Sequence, residues 1–303
     1  MSAIDSDNPE HLHENVQIAW DATSLSRFMT CPRKYQLSIL QGWTTRRRSI
    51  YLDFGSAYHK SLEIYDKARA DGHSQQVALR AAVRVALSAD LENEDRSHNR
   101  FTLVRSVVWY AIQYQHDSMK TLTLADGTHA VELSFLMHLP LKNPWGDPYL
   151  LCGHIDGLVR NNGKVYILER KTTGSILNDR YWSQFSPNVQ ISTYATASKV
   201  ILADPDQSIW VVIDACQTAV NFSRYARHYI HRDSSQLEEF LTEVCYYIKI
   251  AENLALDNYW PKNESACRMC EFKQVCSKPQ SLRQSVLEAE YMQRPRWEPL
   301  RNR

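Results

Sequence analysis

The residues best suited to chemistry lie in one stretch, Leu150–Thr173, which reads LLCGHIDGLVRNNGKVYILERKTT. Asp156 is followed, after twelve residues, by Glu169, and Lys171 stands two further on. Two carboxylates brought to one spot repel unless something positive neutralises them. A hard divalent ion such as Mg²⁺ or Mn²⁺ takes oxygen ligands and keeps some of its waters. A neighbouring ammonium can position or help activate one of those waters. That set suits phosphodiester hydrolysis, where the metal polarises the phosphate and supplies the nucleophile. The same residue types also make ordinary surface ion pairs, so the short motif alone decides nothing.

The local pattern shows how the chain could assemble them. Apolar-alternating runs at Leu150–Arg160 and Lys164–Arg170 flank Asn161-Asn162-Gly163, residues that tolerate the positive φ of a tight turn. The expected antiparallel hairpin brings Asp156 close to Glu169. Period-two alternation puts Glu169 and Lys171 on one face. The run Val165-Tyr166-Ile167-Leu168 makes the second strand look buried, which favours a built site over a solvated ion pair.

Around this hairpin the elements follow in order. Thr23 or Ser24 can cap a short helix carrying Leu25, Phe28 and Met29, and Pro32 suits the first turn of a second helix. Gly55 is expected to open a helix on which His59 and Glu63, four apart, share a face. Ser74–Ala89 and Phe101–Lys120 read as helices covering the sheet, joined by the polar Glu92–Arg100. Thr128–Pro140 alternates as a strand, with Glu132 either a further acid at the site or an exposed strand residue. After a turn at Asn143–Pro148 comes the hairpin, and then a helix at Pro187–Val200 with Gln190 and Tyr194 on one face. Strands at Ser208–Ala215 and Asn221–His231 and a long helix at Ser234–Leu256 complete the pattern. The fold class is α/β (α+β), a mixed central sheet flanked by helices.

Seven cysteines are an odd number, and their spacing is more telling than their count. Cys267, Cys270 and Cys276 form C-x2-C-x5-C in a polar stretch, and Cys31 stands far upstream before Pro32. Four such thiols point to metal; zinc more often shows two C-x2-C knuckles. Cys152, Cys216 and Cys245 lie in apolar runs and read as core. His11 and His13 sit in a polar N-terminal stretch expected to be frayed.

Taken together, these motifs resemble the PD-(D/E)XK nuclease superfamily, in particular its RecB-like branch. That branch includes the nuclease domains of RecB and AddB, CRISPR-associated adaptation nucleases and phage exonucleases. The motifs that carry the resemblance are Cys31, Gly55-x3-His59-x3-Glu63, Gly153-x2-Asp156, Glu169-Arg170-Lys171, Gln190-x3-Tyr194 and the three late cysteines. Ile155 stands where the superfamily name has Pro. The resemblance implies a restriction-endonuclease-like core spanning 22–280, with a helical insertion at about 74–120. A flexible 1–21 would precede the core and a basic tail, 281–303, would follow it. It implies that His59, Asp156, Glu169 and the Arg170 main-chain carbonyl hold Mg²⁺ or Mn²⁺, the imidazole favouring Mn²⁺. Lys171 would orient the attacking water, and Gln190 and Tyr194 would position the strand. Cys31, Cys267, Cys270 and Cys276 would ligate a 4Fe–4S cluster stapling the N- and C-terminal segments.

The implied activity is a metal-dependent DNA exonuclease acting on single strands or DNA ends, in recombination, repair or phage DNA processing. A CRISPR-adaptation nuclease is the nearest alternative, and the helices at 74–120 tilt the reading toward a phage-type exonuclease. A non-catalytic cluster-bearing DNA scaffold and a zinc interaction module are the other readings. There is no Walker A motif, so any helicase or recombination protein would be a partner rather than part of this activity.

Composition narrows the class without naming it. Hydrophobic content of 44% and charged content of 23% are those of a soluble globular protein, and no apolar run could span a membrane. The polar N-terminus lacks a signal-peptide apolar region, so the expectation is a cytoplasmic protein of bacterial, archaeal or phage origin, neither secreted nor membrane-bound. A net charge of +1 excludes a globally basic nucleic-acid binder but permits a local basic groove. Arg33, Lys34 and Arg46-Arg47-Arg48 are candidates for such a path.

Overall fold

The computed structural model describes residues 12–13, 15–202 and 209–300. His11 lies outside them, as does the His13 side chain. Two compact units emerge. One comprises Arg48–Leu133 and His154–Ser234. The other comprises the described residues up to Arg47, Ser134–Gly153, and those from Ser235 onward.

The first unit holds the hairpin. Strands β3 (Pro148–Asn161) and β4 (Lys164–Thr173) pair antiparallel, with Asn161 opposite Lys164. The turn is the two-residue Asn162-Gly163, with φ of 48° and 79°, the left-handed pair that matches strand twist. Helix α5 (Val189–Ile201) then crosses to β5 (Ile209–Thr218), which lies parallel to β4. Strand β6 (Ser223–Arg232) returns antiparallel along β5. The order β6-β5-β4-β3 is a mixed sheet flanked by helices, as expected. β5 reads as a continuous apolar run because it is central: Val211, Val212, Ile213, Ala215 and Cys216 are all fully buried.

Helices α2 (Ile50–Ala70), α3 (Gln75–Ser88) and α4 (Arg100–Gln113) cover this sheet. Ala78, Ala82 and Ala86, four apart, form a small-residue stripe against which Phe54, Tyr58, Leu62, Leu103 and Val107 pack, and Cys216 of β5 joins them. The larger of these side chains each contribute roughly 1.5–3 kcal/mol by leaving water. Two boundaries differ from expectation. Helix α2 begins five residues before Gly55, which lies inside it. Its lack of a side chain has a packing reason, since a Cβ there would come within 3.2 Å of Thr172 Oγ1 on β4. Helix α4 stops at Gln113, and Lys120 belongs to a two-residue strand beside β3.

The second unit carries β1 (Ala19–Trp20), paired parallel with Leu150–Leu151 at the start of β3. Residues 19–21 are thus part of the fold rather than a flexible N-terminus. The cap of the next helix, α1 (Ala22–Thr30), is Asp21 and not Thr23 or Ser24. The Asp21 carboxylate accepts from the Ser24 N–H at 2.8 Å and Ser24 answers through a capping box. Trp20 stacks on Tyr35 at 5.3 Å, with Phe28 edge-on to both and Trp260 tilted at 45° to Tyr35. The region expected as a basic tail instead forms a helix, Arg283–Glu290, and a strand, Tyr291–Gln293, paired with Trp43–Thr45. Among the described residues, no helix is long and apolar enough to cross a membrane.

Candidate active site

The site is built where the hairpin forks. β3 and β4 are paired from Asn161 back to Gly157, opposite Leu168. Beyond that rung the Asp156 side chain takes the place of a main-chain partner. Its Oδ2 accepts from the Arg170 N–H at 2.7 Å. Its Oδ1 lies 3.3 Å from His59 Nδ1, carried in by α2 from 97 residues away. Glu169 is 2% exposed. Its Oε1 accepts from Lys171 Nζ at 2.5 Å, and Lys171 also donates to Gln190 Oε1 at 2.8 Å. Gln190 in turn donates to the Tyr194 hydroxyl at 2.9 Å. The expected Asp156, Glu169, Lys171, His59, Gln190 and Tyr194 therefore form one connected set.

Burial opposes ionisation of Asp156, but the His59 ring and the hydrogen bonds from His59 and Arg170 outweigh it and hold the carboxyl down to about 2. Glu169 goes the other way. Burial and the nearby Asp156 charge push it up to about 7, against the pull of Lys171. Burial pulls His59 down, yet Asp156 and Glu169 raise it overall; Lys171, also desolvated, is raised by the same carboxylates. Two acids with such divergent proton affinities are what a divalent ion would reconcile.

The donor chemistry fits such an ion. Glu169 Oε2 is buried with no hydrogen-bond partner among the described residues, and an orphan carboxylate oxygen is costly unless a cation or proton meets it. The ligand atoms of His59, Glu132 and Asp156 lie within 4.8 Å of one another. Glu132, which could equally have been an exposed strand residue, is thus drawn to the site from strand β2 (Val131–Lys142). It has φ of 54°, a left-handed conformation rare for a residue with a side chain. Arg170 presents only its main chain to this face. Its guanidinium turns away to Asp66 at 2.5 Å. Glu63, by contrast, is held by Lys60 and Lys67.

Behind the site is a charge network that the sequence reading passed over. Asp214 on β5 is 2% exposed, bonded to the Tyr110 hydroxyl at 2.7 Å and to Arg227 at 3.2 Å. A carboxylate inside Ile-Trp-Val-Val-Ile-Asp-Ala was the signal: such a strand rarely buries a charge without a partner.

The second unit holds the cysteines. Cys31 is buried between α1 and a short helix opened by Pro32, and its Sγ accepts from the Asn263 N–H at 3.3 Å. Cys267, Cys270 and Cys276 are partly buried, and all four thiols are free. Burial raises the Cys276 thiol; Arg33 lowers it, and Cys270, Cys31 and Cys267 are close enough to raise it further. The other three thiols thus lie within electrostatic reach of Cys276. Of the other cysteines, Cys152 and Cys216 are core as expected, while Cys245 is only partly buried. The basic stretch is largely engaged within the protein. Lys34 pairs with Glu271, Arg33 and Arg46 bond main-chain carbonyls, and Arg48 pairs with Asp53, Asp90 and Glu92.

A mixed sheet whose forked hairpin gathers Asp156, Glu169 and Lys171 is the arrangement of a nuclease centre. The chain belongs to the PD-(D/E)XK nuclease superfamily, whose pattern it matches over residues 19–277. Among solved structures it is similar to a protein from Eubacterium rectale provisionally described as an exonuclease, with 14% identity, TM-score 0.51, and coverage of 94% of this chain and 99% of that one. It is also similar to the protein SSO0001, with 13% identity, TM-score 0.36, and coverage of 88% and 89%. No functionally curated protein matches it.

Proposed function

We propose that the chain is a divalent-metal-dependent DNA exonuclease of the RecB-like branch, acting on single strands or DNA ends. The observation that carries this reading is the orphan Oε2 of Glu169 beside the converging His59, Glu132 and Asp156. Those four side chains, with the Arg170 carbonyl, would hold Mg²⁺ or Mn²⁺. Such an ion supplies Lewis acidity toward the scissile phosphate and lowers the pKa of water. Lys171 holds the attacking water in line with the phosphorus, its ammonium kept in place by Glu169 and Gln190. The water oxygen would form a new P–O bond as the P–O bond to the leaving oxygen breaks, one proton of the water passing to solvent and the leaving oxygen taking one from solvent. Tyr194, through Gln190, keeps this ammonium oriented, and its ring borders the strand.

Cys31, Cys267, Cys270 and Cys276 would hold a 4Fe–4S cluster, a reading that rests on the spacing of the four cysteines and on all four being free of disulfides. Its role is structural. Iron and acid-labile sulfide in anaerobically purified protein, lost in Cys270→Ser, test it against a zinc module. The activity is tested with Mn²⁺ on end-labelled linear single-stranded DNA and on a closed single-stranded circle. An exonuclease degrades only the linear strand, and Lys171→Ala abolishes this. Cutting of the circle makes the enzyme an endonuclease. No cutting of either, with the cluster intact, leaves a DNA-binding scaffold or a need for a helicase partner.

A further inference from the structure

On the face of β4 opposite Glu169 and Lys171 lies a cavity of about 300 Å³. Arg170 and Arg227 form its inner wall, and Arg69 and Lys120 stand at its exposed rim. Asp66 and Asp117 are its acids, so four cations face two carboxylates. Asp214, bonded to Arg227 from behind, is a third acid and still leaves a positive excess. The inner guanidiniums are well buried, with side chains 3% and 12% exposed. Each is only partly satisfied. Arg170 reaches Asp66, and Arg227 reaches Asp117 at 2.6 Å and Asp214 at 3.2 Å. The Nε–H of both has no acceptor among the described residues. Buried donors are seldom left unmet, and a guanidinium matches the oxygens of phosphate. The remaining wall suits an attached organic group: the Tyr114 ring lies 3.9 Å under the Arg227 guanidinium, with Val159, Leu168 and Met119 beside it.

We propose that this cavity is a binding site, separate from the catalytic fork, for a small phosphate-bearing anion. Its volume admits either inorganic phosphate or a mononucleotide. The second source rests on the nuclease reading, since a mononucleotide is what an exonuclease releases. An occupant would touch Arg170, whose main chain sits between Glu169 and Lys171.

The test is isothermal titration of the full chain, in EDTA without added divalent ions, with inorganic phosphate, deoxyadenosine monophosphate and deoxyadenosine. The expected result is saturable one-to-one binding of one or both phosphate compounds and none of deoxyadenosine. Equal affinities assign the site to free phosphate, and tighter nucleotide binding assigns it to the product. The rim variant Arg69→Ala/Lys120→Ala, whose partners are solvent-exposed, should fold normally and weaken binding about tenfold. His59→Ala should leave binding unchanged. Absence of binding, or binding abolished by His59→Ala and indifferent to the rim variant, overturns the proposal. The first outcome would make the cavity a water-filled void, and the second would return the anion to the catalytic fork. Neither depends on whether the protein cuts DNA.

Discussion

Removing Lys171 probes the central electrostatic argument. Its ammonium meets Glu169 Oε1, while Oε2 has no hydrogen-bond partner among the described residues. Without the ammonium, a buried carboxylate faces Asp156 with only the His59 ring to offset it, and it can escape by taking a proton. With Lys171 present Glu169 is already pushed up to about 7, and the variant must lie higher. Below pH 7 Glu169 is protonated in both proteins, so the electrostatic cost of Lys171→Ala is small there. Above pH 7 the variant must hold a proton that the wild type has released. Each further pH unit then costs about 1.4 kcal/mol until the variant also ionises. Urea denaturation in EDTA at pH 6 and pH 8 measures this, and the variant's deficit should be about 1.4 kcal/mol larger at pH 8. Saturating Mn²⁺ should shrink the difference, because an ion replaces the proton. Activity should fall about a hundredfold or more at either pH. An equal deficit at both pH values, with Mn²⁺ making no difference, would refute the picture of Glu169 as a carboxylate awaiting a cation.

The wild-type protein should show the related effect. The folded Glu169 lies above its unfolded value, so the folded state binds the extra proton and stability falls as pH rises. The EDTA-treated protein should lose up to about 3 kcal/mol from this group between pH 4.5 and 7, in urea titrations at stepped pH. Asp156, held low, acts in the opposite sense, and its contribution disappears only on acidification toward pH 2. Asp66→Ala strands the Arg170 guanidinium, which is 3% exposed, and should cost about 3–5 kcal/mol in the same assay. A loss under 1 kcal/mol would mean that Asp214 already balances Arg170. Glu132→Gly keeps the left-handed backbone and should change stability by less than about 1 kcal/mol. Its Mn²⁺ affinity, followed by electron paramagnetic resonance, should nonetheless drop. Unchanged affinity would make Glu132 a bystander.

What the sequence could determine by itself was whatever is encoded over a few residues. Alternation placed Glu169 and Lys171 together, Asn162-Gly163 specified the turn, and helical spacing joined Gln190 to Tyr194, because backbone geometry sets these relations at short range. Cap and boundary choices were already less secure. Asp21 rather than Thr23 caps α1 because its carboxylate is the one the Ser24 N–H meets. The start of α2 at Ile50 was hidden by Gly55, whose absent side chain serves a strand more than a hundred residues away. His59 could be attached to Asp156 only through resemblance, since no local rule spans the 97 residues between them. The tertiary structure alone decided that Glu132 bends inward, that Asp66, Asp214 and Arg227 surround the rear of Arg170, and that a cavity remains between them. Those outcomes follow from which buried charges find partners once the sheet and helices have closed, and that pairing is a property of packing rather than of sequence order.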